Sequence, residues 1–264
     1  MVTQKEKLNL YKAELHIHTV LSPCASVEMI PPLIIEEAKS KGINLIAITD
    51  HNSIDNIQSV IEAAEGSNIV VLPGIELQTR EEIHSICLFN TLGQARYFFH
   101  KIEHSFPKIK NKSDYFGEQY VVDKTGDFLR KEERLLITSS TLSFNDAIKT
   151  VRAAGGLLIP AHVNRKAYGL FPVLGFIPED IDLHIFEISR DITPGKAIEK
   201  YPQLKDKYLI QNGDAHFLED IIGYNQFLIK EPTVNEIQLA LAGKNNRVYR
   251  NQNLITPLQS GTSS

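Results

Sequence analysis

The strongest constraint on this chain is a recurring unit: a short apolar run of strand length, a polar turn, then a stretch with helical features. Residues 43–49 (INLIAIT) are the clearest run. They are continuously apolar, as a parallel strand covered on both faces must be. Further strands are expected at 15–19, 69–72, 83–89, 157–161, 184–188, 208–211 and 226–229. Helices are expected from Pro31 and Pro32 to about Ser40, stopped at Gly42, and from a cap at Asp55 through Glu65. Others are expected over 93–104, over 143–154 ahead of Gly155 and Gly156, and over 234–241. Repeated βα units imply a mainly parallel α/β sheet, closed into a barrel or open and doubly wound. Both architectures place active sites at the C-terminal ends of the strands.

The polar residues obey that rule. His16 and His18 lie two apart in the first strand, where i and i+2 share a face, so both imidazoles can reach one ion. The run 43–49 ends in Asp50-His51, and Glu76 follows the strand at 69–72 between two apolar neighbours. A buried carboxylate of that kind needs a cation to neutralise it. His84 sits near the start of its strand, His162 directly follows 157–161, and Asp214-Ala215-His216 follows 208–211. Five strands therefore carry such a residue at or just beyond the end, and six of the nine histidines fall in these positions. Treated singly, each is ordinary; together they describe a site.

Imidazoles mixed with carboxylates suit Zn, Mn or Fe rather than Ca or Mg. Eight candidates, His16, His18, His51, Glu76, His84, His162, Asp214 and His216, exceed the four that one tetrahedral ion takes, so two or three ions are implied. Clustered divalent ions are a standard device for phosphoester hydrolysis through an activated hydroxide. Competing schemes lack their motifs: there is no phosphate-binding glycine loop of either common kind, no H-E-x-x-H and no G-x-S-x-G.

The remaining composition narrows the class. A formal net charge of −4 without a long basic run argues against broad nucleic-acid binding. It leaves room for a small phosphorylated substrate, a nucleotide or an oligonucleotide end, with no stable binding of duplex expected. No apolar run is long enough to span a membrane, no signal peptide is evident, and a cytoplasmic location is the expectation. Cys24 and Cys87 form no disulfide framework. Residues 107–141 differ from the rest in being rich in Lys, Asp, Glu and Gly. They read as an insertion over the barrel mouth, a candidate lid, with a hairpin over 119–130 that turns at Thr125-Gly126. A single domain over 1–257 is expected, followed by a disordered tail at 258–264.

The ordered pieces HIHTVLSPC, AITDHNS, PGIELQT, EEIHSICLF, IPAHVNR and NGDAH, from His16 to His216, make the chain resemble the PHP (polymerase and histidinol phosphatase) superfamily. The resemblance implies a distorted (β/α)7 barrel with a trinuclear metal centre. Carried over by position, one ion takes His16, His18, Glu76 and Asp214. A second shares Glu76 and takes His84 and His162. A third takes His51 and His216, with Cys24 standing where some relatives have a histidine. Asp50 is expected to hold His51 or His16 in the right tautomer by accepting an N–H. Arg165 and Arg80 are candidate phosphate clamps, and Glu187 an outside candidate for supporting the substrate. His100 and His104 are expected on an exposed helix outside the site. A water held by the ions, or His216, is expected to protonate the leaving oxygen, with Asp214 and Arg165 assisting. The implied enzyme is a metal-dependent phosphoric ester hydrolase acting on a small phosphomonoester or nucleotide. The alternatives are an exonuclease-type phosphodiesterase acting on nucleic-acid ends and a non-catalytic regulatory module of the same fold.

Overall fold

The computed structural model describes residues 6–178 and 181–252, so the expected tail at 258–264 lies outside the described residues. Its strands, in chain order, are β1 (Asn9–Ile17), β2 (Leu45–Ile48), β3 (Val70–Gln78), β4 (His84–Leu88), β5 (Tyr120–Val122), β6 (Phe128–Lys131), β7 (Leu157–Pro160), β8 (Ile185–Ile188), β9 (Tyr208–Gln211), β10 (Asn225–Ile229) and β11 (Val248–Asn251). The helices are α1 (Pro31–Ser40), α2 (Ile57–Ala63), α3 (Leu92–Ile102), α4 (Ser113–Phe116), α5 (Phe144–Ala153), α6 (Leu170–Leu174), α7 (Pro194–Lys200) and α8 (Val234–Leu241).

Seven strands form one curled sheet in the order β11-β10-β1-β2-β3-β4-β7, and β8 pairs with β9 in parallel. Two backbone links bring these sheets together. Val163 N–H donates to the Glu187 carbonyl at 2.9 Å, joining the end of β7 to β8. Beyond β9, Ala215 N–H donates to the His16 carbonyl and His18 N–H to the Ala215 carbonyl, both at 2.9 Å. The ring β1-β2-β3-β4-β7-β8-β9 is thus a distorted seven-stranded α/β barrel in which β4 alone runs against its neighbours.

Alternation within β2 shows why the run at 43–49 has no polar face. Leu45 and Ala47 join the barrel-lining cluster with Leu15, Leu72, Ile86, Ile159 and Ile210, whereas Ile46 and Ile48 pack outward with Ile34 of α1 and Val60 of α2. Val234, Ile237 and Leu241 of α8 complete the inner cluster. The apolar mass thus fills the barrel and leaves the C-terminal strand ends to polar residues.

Several boundaries differ from the sequence-based expectation for identifiable reasons. The helix expected from a cap at Asp55 begins at Ile57, because Asp55 instead pairs with Arg130 of β6 at 2.7 Å. β3 runs on through Pro73 and Gly74, since its second half pairs with β4 after its first half leaves β2. Glu76 is therefore inside a strand rather than past its end. β11, α6 and α7 are short segments with no marked periodicity in the sequence.

The hairpin β5–β6 forms as expected, but the insertion is laced to the barrel. Asn56 Nδ2 donates to the Tyr120 carbonyl, its Oδ1 accepts from Val122 N–H, and Asn52 Nδ2 donates to the Leu136 and Thr138 carbonyls at 2.7 Å each. Among the described residues no helix is long and apolar enough to cross a membrane.

Candidate metal centre

All nine expected ligands converge on the C-terminal end of the barrel. At the middle is the Glu76 carboxylate. Oε1 lies 3.4 Å from His16 Nε2, 2.9 Å from His84 Nδ1 and 3.2 Å from His162 Nε2. Oε2 lies 3.4 Å from His18 Nε2 and 2.9 Å from His51 Nδ1. Asp214 Oδ1 sits 3.2 Å from His16 Nε2 and 3.4 Å from His18 Nε2. Three sets have ligand atoms all within 4.8 Å of one another: His16, His18, Glu76 and Asp214; His51, Glu76 and His84; and His18, His51 and His216. The first is the set carried over for one ion. His162 adjoins the second set through Glu76, and Cys24 Sγ adjoins the third at 3.1 Å from His216 Nε2.

The hydrogen bonds behind the cluster fix which nitrogens face inward. His16 Nδ1 points at both Glu187 oxygens at 3.1 Å, and a carboxylate can only accept, so Nδ1 carries the proton. Ser22 Oγ donates to Asp50 at 2.7 Å and therefore accepts from His18 Nδ1 at 3.0 Å. The two Nε2 atoms then face each other only 3.2 Å apart. Two facing lone pairs repel unless a proton or a cation lies between them. Glu76 Oε2 and Asp214 Oδ1 in the same space are buried and accept no hydrogen bond, as is His162 Nδ1. Such orphaned atoms are costly unless something absent from the polypeptide satisfies them. The spacing also fits: a tetrahedron with ligands at about 2.0–2.1 Å has edges of about 3.3 Å, and His16 Nε2, His18 Nε2 and Asp214 Oδ1 are 3.2–3.4 Å apart, each imidazole with a Glu76 oxygen at 3.4 Å. The residues present thus fit a divalent transition-metal ion.

The electrostatics agree. Burial opposes ionisation of Glu76, yet His84, His16 and His51 outweigh it and hold the carboxyl well below the usual range. Burial, reinforced by His216 and His51, pushes His18 well below an ordinary histidine, and burial carries His84 down to about 4. Both are thus neutral and able to ligate. Glu187, Asp214 and Glu76 outweigh burial to hold His16 well above an ordinary histidine, and Glu76 and Cys24 do the same for His51. Without an ion these two carry the positive charge that balances the carboxylates. For Cys24, burial is overcome by His51 and His216, which bring the thiol down to about 6 and favour the ligating thiolate.

The backbone is strained where it presents these groups. Asn52, His162 and Asp214 have φ of +47°, +29° and +50°, a region that costs non-glycine residues about 1–3 kcal/mol each. Two buried carboxylates hold the strained segments. Glu187 accepts from His162 N–H at 2.7 Å and Asn212 Nδ2 at 2.8 Å besides His16. Glu14 accepts from Gly213, Ile222 and Gly223 N–H, closing the loop that carries Asp214 and His216. A Cβ at Gly213 would overlap the Asp220 carbonyl, so the loop closes only with glycine there.

Burial drives the Glu14 carboxyl up to about 7, against those three donors. The native state then keeps a proton that the unfolded chain loses above the ordinary value of 4.5. The Glu14 contribution to the stability of the metal-free protein should therefore fall as pH rises from about 4.5 to about 7, by roughly 3 kcal/mol, against the opposite trend that burial of His84 and His18 imposes over the same range. Glu14→Gln should remove that falling contribution, making the slope of stability against pH more positive than in wild type. Urea unfolding across this range checks it, and an unchanged slope would sink the assignment.

Two expected roles change. Asp50 accepts nothing from His51 or His16; its carboxylate takes Thr19 N–H, Thr19 Oγ1 and Ser22 Oγ, and so acts on His18 through Ser22. Glu187 borders the cleft, but its two oxygens are taken by His16, His162 N–H and Asn212, so it holds His16 rather than offering a free acceptor to a substrate. Arg165 borders the cluster and pairs with Asp214 Oδ2. Arg80 is exposed and pairs with Glu81. His100 is exposed and pairs with Glu103, and His184 pairs with Asp182, both outside the cluster. Residues missed from sequence include Ser22, Asn212, Tyr168 stacked on the His84 ring at 4.3 Å, and Arg190, which follows β8 just as the recognised residues follow their strands.

A cleft of about 460 Å³ opens beside the cluster, lined by His162, Arg165, Arg190, Asp214, His216 and Phe217 among others. A second recess of about 220 Å³ reaches His51, Glu76 and His84 past Tyr168 and Ile137, the latter from the insertion.

A family model described as PHP domain matches residues 14–158. The lesion-specific endonuclease PfuEndoQ from Pyrococcus furiosus shares the fold with a TM-score of 0.71 at 20% identity, over 91% of this chain and 58% of that one. A complex of endonuclease Q with a 27-mer duplex substrate bearing an abasic lesion at the active site gives 0.66 at 19%, with the same coverages. A protein from Bifidobacterium adolescentis, assigned as a metal-dependent phosphoesterase, gives 0.54 at 16%, over 89% of this chain and 96% of that one. The chain thus spans under two thirds of the endonuclease's length, and at these identities the likeness is one of fold. No curated protein sequence matches the chain.

Proposed function

The chain belongs to the PHP domain family, and on that premise we propose that it hydrolyses a phosphate ester held in the cleft beside a centre of two or three divalent transition-metal ions. The observation that carries this reading is the pair of inward Nε2 atoms of His16 and His18, 3.2 Å apart and capped by the orphaned oxygens of Glu76 and Asp214. Imidazoles and anionic carboxylates packed this closely are built to hold a cation. Bound divalent ions supply Lewis acidity to the phosphoryl group and acidify a coordinated water.

The chain's own residues are assigned as follows. His16, His18, Glu76 and Asp214 hold one ion, Glu76 with His84 and His162 a second, and His51, His216 and Cys24 a third and more open site. Asp50, through Ser22, keeps His18 Nε2 facing inward. Arg165, half-exposed at the cleft wall, grips a phosphoryl oxygen in place of its bond to Asp214. His216 Nδ1 donates to the Asp214 carbonyl at 2.8 Å, which leaves its Nε2, beside Cys24, as the ligating atom.

A second reading concerns substrate size. A cleft of about 460 Å³ falls in the range for drug-sized ligands, so it takes far more than a bare phosphoryl group. A small phosphomonoester or nucleotide fits it. The fold's occurrence in an endonuclease bound to duplex DNA favours a phosphodiester in a nucleic-acid strand as the alternative.

Metal analysis of the purified protein, with hydrolysis of p-nitrophenyl phosphate and its bis-ester by wild type and Asp214→Asn, tests both. The wild type should hold more than one equivalent of transition metal. Asp214→Asn should lose at least about a hundredfold in rate, the scale of one missing transition-state contact. Absence of metal together with no cleavage in added Mn or Zn would overturn the reading. The preferred ester decides between monoesterase and diesterase.

A further inference from the structure

In a chain of net charge −4, residues 96–112 stand apart: Arg96, Lys101, Lys108, Lys110 and Lys112 face a single acid, Glu103. The fold puts the latter part of this segment at the mouth. β4 runs away from the cluster, so α3 returns toward it and ends at the catalytic face. There Ser105 accepts from Thr141 N–H, and Leu142 accepts from Arg80 N–H just beyond the end of β3. The chain then crosses the face toward the loop after β1. Asn111 Nδ2 donates to the Gly117 carbonyl at 2.9 Å, and Gly117 packs so tightly on the Pro23 carbonyl that a Cβ there would overlap it. Pro23 adjoins Cys24, which lines both recesses.

Lys108, Lys110 and Lys112 are exposed and alternate along extended backbone, the spacing that puts i and i+2 on one side. Opposition to them is weak: within the strip only Asp114, exposed, carries a negative charge against the three lysines. Glu133 lies 3.8 Å from Lys110 with both side chains exposed, and Glu118 is taken by Lys131. Apolar and aromatic groups interleave with the charges: Ile109 is 51% exposed and Tyr115 82%. Lysines for a phosphate chain, with a bare aromatic face beside them, are the two components of a single-strand binding surface. A duplex offers no free base faces to the second.

We propose that the strip from Lys108 to Tyr115 binds a single-stranded nucleic-acid segment whose scissile phosphate lies at the metal cluster. The inference rests on the phosphodiester reading above for the reason a phosphate chain would arrive there. The strip itself is tested by binding, without turnover.

Fluorescence anisotropy with a labelled single-stranded oligonucleotide, titrated at several salt concentrations, is the experiment. Lys108→Gln/Lys110→Gln/Lys112→Gln should weaken binding about tenfold or more at low salt. It should also make the slope of log K against log salt shallower by about 2, that is three contacts at ~0.7 each. Tyr115→Ala should cost about fivefold or more without changing the slope. Both variants should melt like wild type and hydrolyse the bis-ester at the wild-type rate, since neither touches the cluster. An unchanged slope in the triple variant, no binding by wild type, or an equal loss on a blunt duplex would overturn the proposal. Failure of bis-ester hydrolysis in the wild type would instead fall on the reading of the centre.

Discussion

Replacing Glu76 by glutamine should strip the protein of metal and lower phosphoester hydrolysis by about a thousandfold or more, the upper range for removing one preorganised charged contact. The substitution is nearly isosteric, and the strand bonds of β3 do not involve the side chain. What changes is the acceptor pattern. Glu76 presents one oxygen to His16, His84 and His162 and the other to His18 and His51. Glutamine keeps one acceptor and turns the other into a donor. It must therefore aim an N–H at either two or three imidazole nitrogens that need an anion or a shared ion. No rotation of the amide avoids this. Elemental analysis and steady-state kinetics on the same preparation check it; metal content and kcat within tenfold of wild type would show that Glu76 is not the bridge.

Glu187→Gln should produce a different pattern: metal affinity weaker by about ten- to a hundredfold, with much of kcat recovered at saturating metal. Glu187 lies behind His16 rather than in the ring of ligands. All its partners are donors, His16 Nδ1 and Asn212 Nδ2 on one oxygen and His16 Nδ1 and His162 N–H on the other. Either orientation of a glutamine sets an N–H against one of them. An unsatisfied buried donor costs about 1–3 kcal/mol, so a lower melting temperature should accompany the loss. If His16 is driven to its other tautomer, the proton moves onto Nε2 and blocks the site from within. Metal titration separates the cases: unchanged affinity with lowered kcat would mean that Glu187 acts on substrate instead.

Much of this was legible before any fold was known, for a chemical reason. A polar residue at the end of an apolar run is anomalous one residue at a time, and His16, His18, His51, Glu76, His162, Asp214 and His216 were each found that way. The supporting residues were not, because their anomaly is resolved by partners distant in sequence. Glu187 lies in the apolar run Ile185–Ile188, which tells that its charge is buried but not that His16 and Asn212 neutralise it. The sequence position of Asp50 points to His51 or His16 as its partner, whereas it bonds Thr19 and Ser22, since the turn that inserts Ser22 between it and His18 leaves no trace in spacing. The reversal of β4 was equally hidden, because a strand buried on both faces has the same pattern in either direction.

That reversal has a consequence for how such a chain can change. In a uniformly parallel barrel, every connection that crosses the catalytic face is also a connection that carries a ligand. With β4 inverted, α3 climbs and α5 descends, and the segment between them spans the mouth without supplying any residue of the cluster. It is attached by side-chain amides from Asn52 and Asn56 and by a few backbone bonds, Tyr120 N–H to the Val20 carbonyl and Ser140 N–H to the Gln78 carbonyl, and adds no strand to the barrel. On the proposed reading, the barrel supplies the reaction chamber and residues 107–141 its front, so transplanting them between relatives should redirect which ester is cleaved while metal content stays at the wild-type level.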